Sequence, residues 1–184
     1  MTDCKSLEDA QIVNLVLDGH INAFETLVNR YKGKMHWYIY PQVSGFKDGA
    51  DIADDLVQDV FVRVYTHLGG FNPAKGSFQG WLYQRARSVT SNFLRKPHHL
   101  TDAIDENHNT AGIERNSESV NRSLCVEKQL RCLKPKELEL FMLYLKEELT
   151  QAEIAEMWHC SVRTVKRRVQ KLMSKIKPLL AQCL

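Results

Sequence analysis

Residues 150–172 have the sequence TQAEIAEMWHCSVRTVKRRVQKL, which predicts a short helix, a tight turn and a longer basic helix in succession. Thr150 and Glu153 form a T-x-x-E capping box, a pattern typical of a helix N-terminus. Ser161 is placed to cap the second helix. His159 lies in the turn, where His adopts a positive φ more readily than most residues do. This order of elements predicts a helix-turn-helix.

The second of these helices has an apolar face and a basic face. Val162, Val165, Val169, Leu172 and Ile176 follow one another at intervals of three and four, which predicts a face packed on a core. Seven basic residues and no acid lie between positions 163 and 177. Such a helix can lie in the DNA major groove, with its first residues at base edges and later cations near phosphates. The candidate DNA-binding residues here are Ser161, Arg163, Thr164, Lys166, Arg167, Arg168 and Lys171.

A basic amphipathic helix has other uses. It can bind an acidic membrane or a protein partner, or it can be a solvated surface of a small bundle. The capped helix before it, the turn spacing and the small Ala155 at the predicted helix crossing favour DNA.

Helical spacing also dominates the rest of the chain, and no Asn-Gly or Asp-Gly hairpin turn accompanies it. Helices are predicted over 7–31 with a break at Gly19, over 51–68, and over 79–96, where Pro97 stops the helix. A further helix over 136–148 follows Pro135. The predicted fold class is therefore all-α. The residues expected to face inward are Ile52, Leu56, Val60 and Val64 in the second segment, Trp81, Leu82, Ala86, Val89, Phe93 and Leu94 in the third, and Leu138, Phe141, Met142 and Leu145 in the last.

Charge divides the chain into three blocks. Residues 1–96 carry 11 basic and 10 acidic side chains, and residues 123–184 carry 12 and 7. Between them, residues 97–122 carry 2 basic and 5 acidic side chains, with no sustained apolar period. We therefore expect two small helical domains, 1–96 and 123–184, joined by a flexible acidic linker at 97–122. Within the first block, positions 48–59 hold five Asp residues and no Lys or Arg, whereas positions 60–96 hold six cations and no acid.

Composition excludes several classes of protein. The chain has 184 residues, of which 43% are hydrophobic and 26% charged, as in ordinary globular proteins. Its longest clean apolar run, LFMLYL at 140–145, is far shorter than the roughly 20 residues of a membrane helix, so no membrane insertion is expected. The five Cys form no C-x-x-C pair, and the first ten residues lack the pattern of a signal peptide. We expect a cytoplasmic protein without a metal site or another cofactor.

The blocks together resemble bacterial sigma factors of the extracytoplasmic-function class, the small initiation subunits that retain region 2 and region 4. The segments 24–40, 51–68 and 71–96 are similar to successive parts of region 2, and 133–172 is similar to region 4. The resemblance covers roughly 150 residues in the family's order, with its linker between the two regions.

The resemblance implies sites as well as a fold. In the family, the acidic helix of region 2 binds the β′ coiled coil of core RNA polymerase, and the following helix and its preceding turn bind the −10 promoter element. Region 4 binds the −35 element and the β flap, to which part of the cluster Leu138, Phe141, Met142 and Tyr144 could contribute. The implied polymerase-binding residues are Asp51, Asp54, Asp55, Leu56, Gln58 and Asp59, with support from Phe61 and Tyr65. The implied −10 contacts are Asn72, Lys75, Ser77, Arg85, Arg87, Asn92, Arg95 and Lys96.

We therefore expect a promoter-specificity subunit that is not itself an enzyme, that associates with the nucleoid when bound to polymerase, and that has an anti-sigma partner. One alternative is a stand-alone helix-turn-helix regulator, which would not need the acidic segment at 51–59. Another is a metal-dependent nuclease using Asp54, Asp55 and Asp59, with His67 as a base. No further carboxylate or phosphate-binding Gly loop accompanies those residues, so the sequence has no catalytic set.

Overall fold

The structure is a computed structural model that describes residues 6–96 and 133–180, and all its regular elements are helices. The chain divides into two compact units, Met1–His108 and Asn109–Leu184. This confirms the predicted all-α class, while the predicted linker at 97–122 lies outside the described residues. None of the helices within the described ranges is long and apolar enough to cross a membrane.

The first unit is a bundle of four helices. These are α1 (Asp9–Leu17), α2 (Ala23–Val43), α3 (Gly49–Thr66) and α4 (Phe78–Leu94), and a short 3₁₀ turn (Leu68–Gly70) follows α3. Helix α2 packs on α1, α3 and α4, and α3 also packs on α4. Apolar residues at intervals of three and four on each helix close the core, among them Ile12, Leu27, Met35, Ile39, Val57, Val60, Val64, Leu82 and Tyr83, none more than 2% exposed.

Polar contacts fix α1 on α2. The carboxylate of Asp9 accepts hydrogen bonds from the Arg30 guanidinium and from the Tyr31 hydroxyl. The same guanidinium donates to the carbonyl of Leu7 at 3.0 Å. Because these groups are partly buried, the charge-assisted bonds orient the short first helix as well as attaching it.

The turn between α2 and α3 requires glycine at its end. Gly49 is buried, and a Cβ built on it would lie 2.6 Å from the carbonyl oxygen of Val43. The chain reverses so tightly here that only a residue without a side chain fits. Gly49 therefore fixes where α3, the acidic helix, begins.

The second unit contains three helices and one wide turn. Helix α5 (Pro135–Phe141) continues into a π turn (Met142–Lys146), and α6 (Gln151–Met157) and α7 (Val162–Leu180) follow. The predicted capping box is present: the Thr150 hydroxyl accepts from the Glu153 backbone N–H at 3.2 Å, and the Glu153 carboxylate accepts from the Thr150 N–H at 2.9 Å. Ile154, Ala155, Val165 and Val169 are buried where α6 packs on α7.

Two predictions of inward-facing residues are wrong. Leu145 is 38% exposed and Val162 is 48% exposed. The π turn widens the helix after Phe141, which rotates the next side chains and buries Leu143 instead. Val162 is the first residue of α7, beyond the part of that helix that packs on α6. In α4, Trp81, Phe93 and Leu94 are only half-buried, whereas Tyr83 and Thr90, which were not predicted, are buried.

Candidate functional site

The helix-turn-helix presents one basic face to solvent. Arg163, Arg167 and Lys171 recur every four residues on α7, and all three are exposed. They lie opposite the buried residues Val165 and Val169, since successive residues turn about 100° around a helix. Lys166 is also exposed but lies toward the edge of this face. The face can therefore meet a phosphate backbone or a groove without disturbing the core.

The turn before α7 has the predicted geometry. His159 has a φ of 49°, in the left-handed region, and is exposed. The Cys160 backbone N–H closes the turn on the carbonyl of Ala155 at 2.9 Å. The Ser161 hydroxyl accepts from the Thr164 N–H at 3.3 Å and pairs with the Thr164 hydroxyl at 2.9 Å. Ser161 and Thr164 thus form the N-cap of the basic helix.

Arg168 and Lys175 lie seven residues apart on a different stripe of α7; Arg168 is exposed and Lys175 is half-buried. The Lys175 ammonium donates to Glu137 at 2.6 Å. This bond, together with the Lys134 backbone N–H, holds the pKa of the Glu137 carboxyl below its usual range. The Arg168 guanidinium lies 5.3 Å from the centre of the Trp158 ring. These cations are therefore engaged within the unit, unlike those of the basic face.

The acidic residues of α3 share one exposed face. Asp51, Asp54, Asp55, Gln58 and Asp59 are all exposed. The structure brings them together as the sequence predicted, because their spacing of three, four and seven keeps them on one side of the helix. One contact from α2 reaches this face: the His36 Nε2 lies 3.8 Å from an Asp54 oxygen, and the His36 ring stacks on Tyr40.

Leu56 does not belong to that surface. It is 4% exposed and packs in the core, which confirms the prediction that it faces inward. The exposed face instead continues to Val62, 63% exposed, and Tyr65, 43% exposed, whose ring contacts Phe24 edge-on at 5.1 Å. Sequence reasoning missed Val62, although its spacing of seven from Asp55 was a signal that it shares the acidic face.

The residues predicted for the −10 element are not all together. Arg85 and Asn92 lie on one side of α4, and Arg95 and Lys96 follow its last residue, whereas Arg87 is two residues from Arg85 and so points about 200° away around the helix. The Arg85 guanidinium lies over the Trp81 ring at 4.9 Å, and Arg95 donates to the Asn92 side chain at 3.1 Å.

The turn before α4 is organised by its polar side chains. The Asn72 side chain accepts from the Ala74 N–H at 2.9 Å, and the Ser77 hydroxyl caps α4 by accepting from the Gly80 N–H at 3.0 Å. Lys75 is exposed between them. Phe78, at the start of α4, is buried at 2% exposure and contacts the rings of Phe71 and Trp81. These aromatic residues hold the turn against the helix.

Nothing in the described ranges forms a group of three or more His, Cys, Asp or Glu side chains able to hold a metal ion. The Asp residues of α3 are spread along an exposed helix face.

Comparisons with known proteins agree on both units. The family model for Sigma-70 region 2 matches residues 27–99, and that for Sigma-70, region 4 matches residues 123–176. The chain is 26% identical over 174 residues to the ECF RNA polymerase sigma factor SigW of Bacillus subtilis, covering 86% of this chain and 89% of that protein. It is 26% identical over 193 residues to the ECF RNA polymerase sigma-E factor of Haemophilus influenzae, covering 96% and 99%.

Solved structures share the fold. The sigma factor RpoE in complex with the anti-sigma factor NepR, from Bartonella quintana, matches with a TM-score of 0.65 and 19% identity, covering 86% of this chain and 96% of that chain. CnrH in complex with the cytosolic domain of CnrY matches with a TM-score of 0.60 and 22% identity, covering 95% and 97%.

Proposed function

The chain belongs to the sigma-70 family, with region 2 in its first unit and region 4 in its second, and from this membership we propose which of its surfaces binds each partner of a sigma factor. It is a promoter-recognition subunit of RNA polymerase of the extracytoplasmic-function class, with core polymerase and promoter DNA as its partners.

The basic face of α7 is proposed to bind the −35 element. The observation that supports this most directly is the exposed series Arg163, Arg167 and Lys171, which is free of acid and stands on a capped helix-turn-helix. Arg163, near the helix N-terminus, is placed for base edges, while Arg167 and Lys171 are placed for phosphates. Lys166, Thr164 and the Ser161 hydroxyl complete this set.

The basic side of α4 and the turn before it are proposed to bind the −10 element. Lys75, Arg85, Arg95 and Lys96 supply positive charge for the backbone of a DNA strand. Asn72, Ser77 and Asn92 are proposed as weaker contacts, since each already accepts a hydrogen bond within the unit. Arg87, on the other side of the helix, is proposed to meet the backbone at a separate point.

The acidic face of α3 is proposed to bind core polymerase through the β′ coiled coil. Asp51, Asp54, Asp55, Gln58 and Asp59 present a continuous polar surface with no Lys or Arg among them, which suits a basic partner. Val62 and Tyr65 extend the contact with apolar area. Leu56 supports this face from inside the core. A contact between the region around Leu138 and Tyr144 and the β flap is proposed as well.

The remaining proposals concern organisation and setting. The domains are proposed to be 1–96 and 123–184, with 97–122 as an acidic linker that lets them reach two promoter elements. The chain is proposed to act in the cytoplasm, through binding and not as an enzyme. An anti-sigma partner is proposed because two of its structural relatives are described in complex with such proteins or their domains.

Co-elution with bacterial core RNA polymerase tests the proposal for α3. The variant Asp54→Lys/Asp55→Lys reverses two charges on the acidic face and should abolish co-elution at moderate salt. The matched control Asp18→Lys/Glu25→Lys makes the same charge change at two other exposed acids of the first unit and should co-elute like the wild type. If both variants co-elute with core polymerase to the same extent, the docking role of α3 is refuted. DNA binding by a chain that never joins polymerase would instead support a stand-alone regulator.

A further inference from the structure

The cations of α7 fall into two sets by their surroundings. Arg163, Arg167 and Lys171 are exposed on the face opposite the core. Arg168, which is also exposed, and the half-buried Lys175 lie on a neighbouring stripe of α7, and each has a partner inside the unit. Sequence spacing places the two sets on neighbouring stripes of α7, but it does not show that the second set has partners within the unit.

Trp158 stands between Arg168 and α5. It is the last residue before the turn, as the C-cap of α6, and it is half-buried. Its indole N–H donates to the Glu139 carboxylate of α5 at 3.3 Å, and its ring lies under the Arg168 guanidinium at 5.3 Å. From the C-terminal end of α6, the Trp158 side chain therefore contacts one residue of α5 and one residue of α7.

The contacts from Glu139 through Trp158 to Arg168 are electrostatically favourable. A guanidinium is attracted to the face of an indole ring, which carries negative charge density. The indole N–H lies in the plane of the ring and donates to the Glu139 carboxylate, which increases the electron density of the ring over which Arg168 lies. Two turns further along α7, the Lys175 to Glu137 bond ties the same stripe to the same helix.

We propose that Trp158 is a positioning residue for the DNA-reading helix, and that Arg168 sets the angle of α7 on α5 through this ring and makes no phosphate contact. The inference rests on the proposed −35 role of α7 and revises the sequence-based assignment of Arg168. Lys175 acts in the same way through Glu137. The DNA-facing cations are then Arg163, Lys166, Arg167 and Lys171.

The test measures binding of holoenzyme, reconstituted with bacterial core polymerase, to a promoter duplex selected by the wild-type holoenzyme from a randomised library. Dissociation constants are determined over a range of salt concentrations for Arg167→Gln, Arg168→Gln, Arg168→Lys, Trp158→Leu, Trp158→Phe and the double variant Trp158→Leu/Arg168→Gln. Each lost phosphate contact lowers the slope of log K against log salt by about 0.9. The slope therefore separates loss of a DNA contact from loss of position.

We expect Arg167→Gln to reduce the slope by about 0.9. Arg168→Gln and Trp158→Leu should each weaken binding about 3- to 10-fold, the size of one modest contact, with the slope unchanged. The double variant should be no weaker than either single variant, because the two side chains act as a unit. Arg168→Lys, which keeps a cation over the ring, should restore most of the affinity, and Trp158→Phe, which keeps a ring but loses the N–H, should lie between wild type and Trp158→Leu.

A slope reduction in Arg168→Gln equal to that in Arg167→Gln would overturn the inference, since Arg168 would then contact DNA. Additive losses in the double variant, or wild-type affinity in both Arg168→Gln and Trp158→Phe, would overturn it too. If Arg167→Gln leaves the slope unchanged, the proposed DNA face of α7 is wrong, and that failure is distinct from the first. Thermal unfolding of each variant identifies any loss of folding, for which Trp158→Phe is the milder replacement.

Discussion

Two glycines of the first unit should respond to the same substitution in opposite directions. Gly49 is buried at the start of α3, and an added Cβ would lie 2.6 Å from the Val43 carbonyl oxygen, whereas Cβ atoms are almost never closer than 3.0 Å to another heavy atom. Gly33 is exposed within α2, and an added Cβ there would have nothing within 4 Å. Alanine at the first position must displace backbone, while alanine at the second only fills open space.

The magnitudes follow from those surroundings. Gly49→Ala forces a shift of at least 0.4 Å between α3 and the end of α2, the difference between 3.0 and 2.6 Å. Overpacking of this kind costs about 1–3 kcal/mol. Gly33→Ala removes the entropic penalty of a helical glycine and should stabilise the unit by about 0.5–1 kcal/mol. For a domain of this size, the Tm should fall by about 5–20 °C in the first variant and rise by about 2–8 °C in the second.

Calorimetry of the full-length chain, with urea unfolding to compare midpoints at constant slope, measures both effects. Because Gly49 also fixes the start of α3, Gly49→Ala should weaken binding to core polymerase, while Gly33→Ala should leave it unchanged. A Tm for Gly49→Ala equal to or above that of the wild type would refute the close approach of α3 to Val43. A fall in Tm for Gly33→Ala would contradict the open space around this glycine.

Two further outcomes concern the second unit. The pKa of the Glu137 carboxyl is lowered in the folded chain, so its bond with Lys175 stabilises the fold above the ordinary pKa of 4.5. That stability is lost as the pH falls through the lowered folded value. Glu137→Gln should therefore lower the Tm at pH 7, and the Tm values of variant and wild type should converge in acid. Because both side chains are partly exposed, the effect should be below about 1 kcal/mol, and a difference that grows on acidification would contradict it. Thr150→Ala removes the N-cap of α6 and should lower the free energy of unfolding, measured with urea, by about 1 kcal/mol. Thr150→Ser keeps the hydroxyl and should lower it little. If both variants lose the same free energy of unfolding, the cap does not stabilise the helix.

Local sequence patterns were sufficient to predict many structural features of this protein. The all-α class, the capping box at Thr150, the positive φ at His159 and the shared exposed face of Asp51 to Asp59 all depend on residues within about one or two helical turns of one another. Such features are properties of a short segment, so periodicity and side-chain chemistry predict them before any packing is known.

Other predictions were wrong because packing decided them. The π turn at Met142–Lys146 rotated Leu145 outward and Leu143 inward, and no helical periodicity indicates a change of pitch. Leu56 was predicted both to face inward and to bind polymerase; its burial at 4% exposure confirms the first prediction and removes it from the exposed face.

Sequence alone determined that this chain has a helical region 2 and a helical region 4, with a negative charge on α3 and a positive charge on α7. Tertiary structure decided which of those charges are available. Arg167 and Arg168 are adjacent in a run of cations and both are exposed, yet Arg168 lies over the ring of Trp158, whose indole N–H reaches Glu139 nineteen residues away. The physical reason is that charge is a property of the residue, whereas its partners depend on which helices pack together.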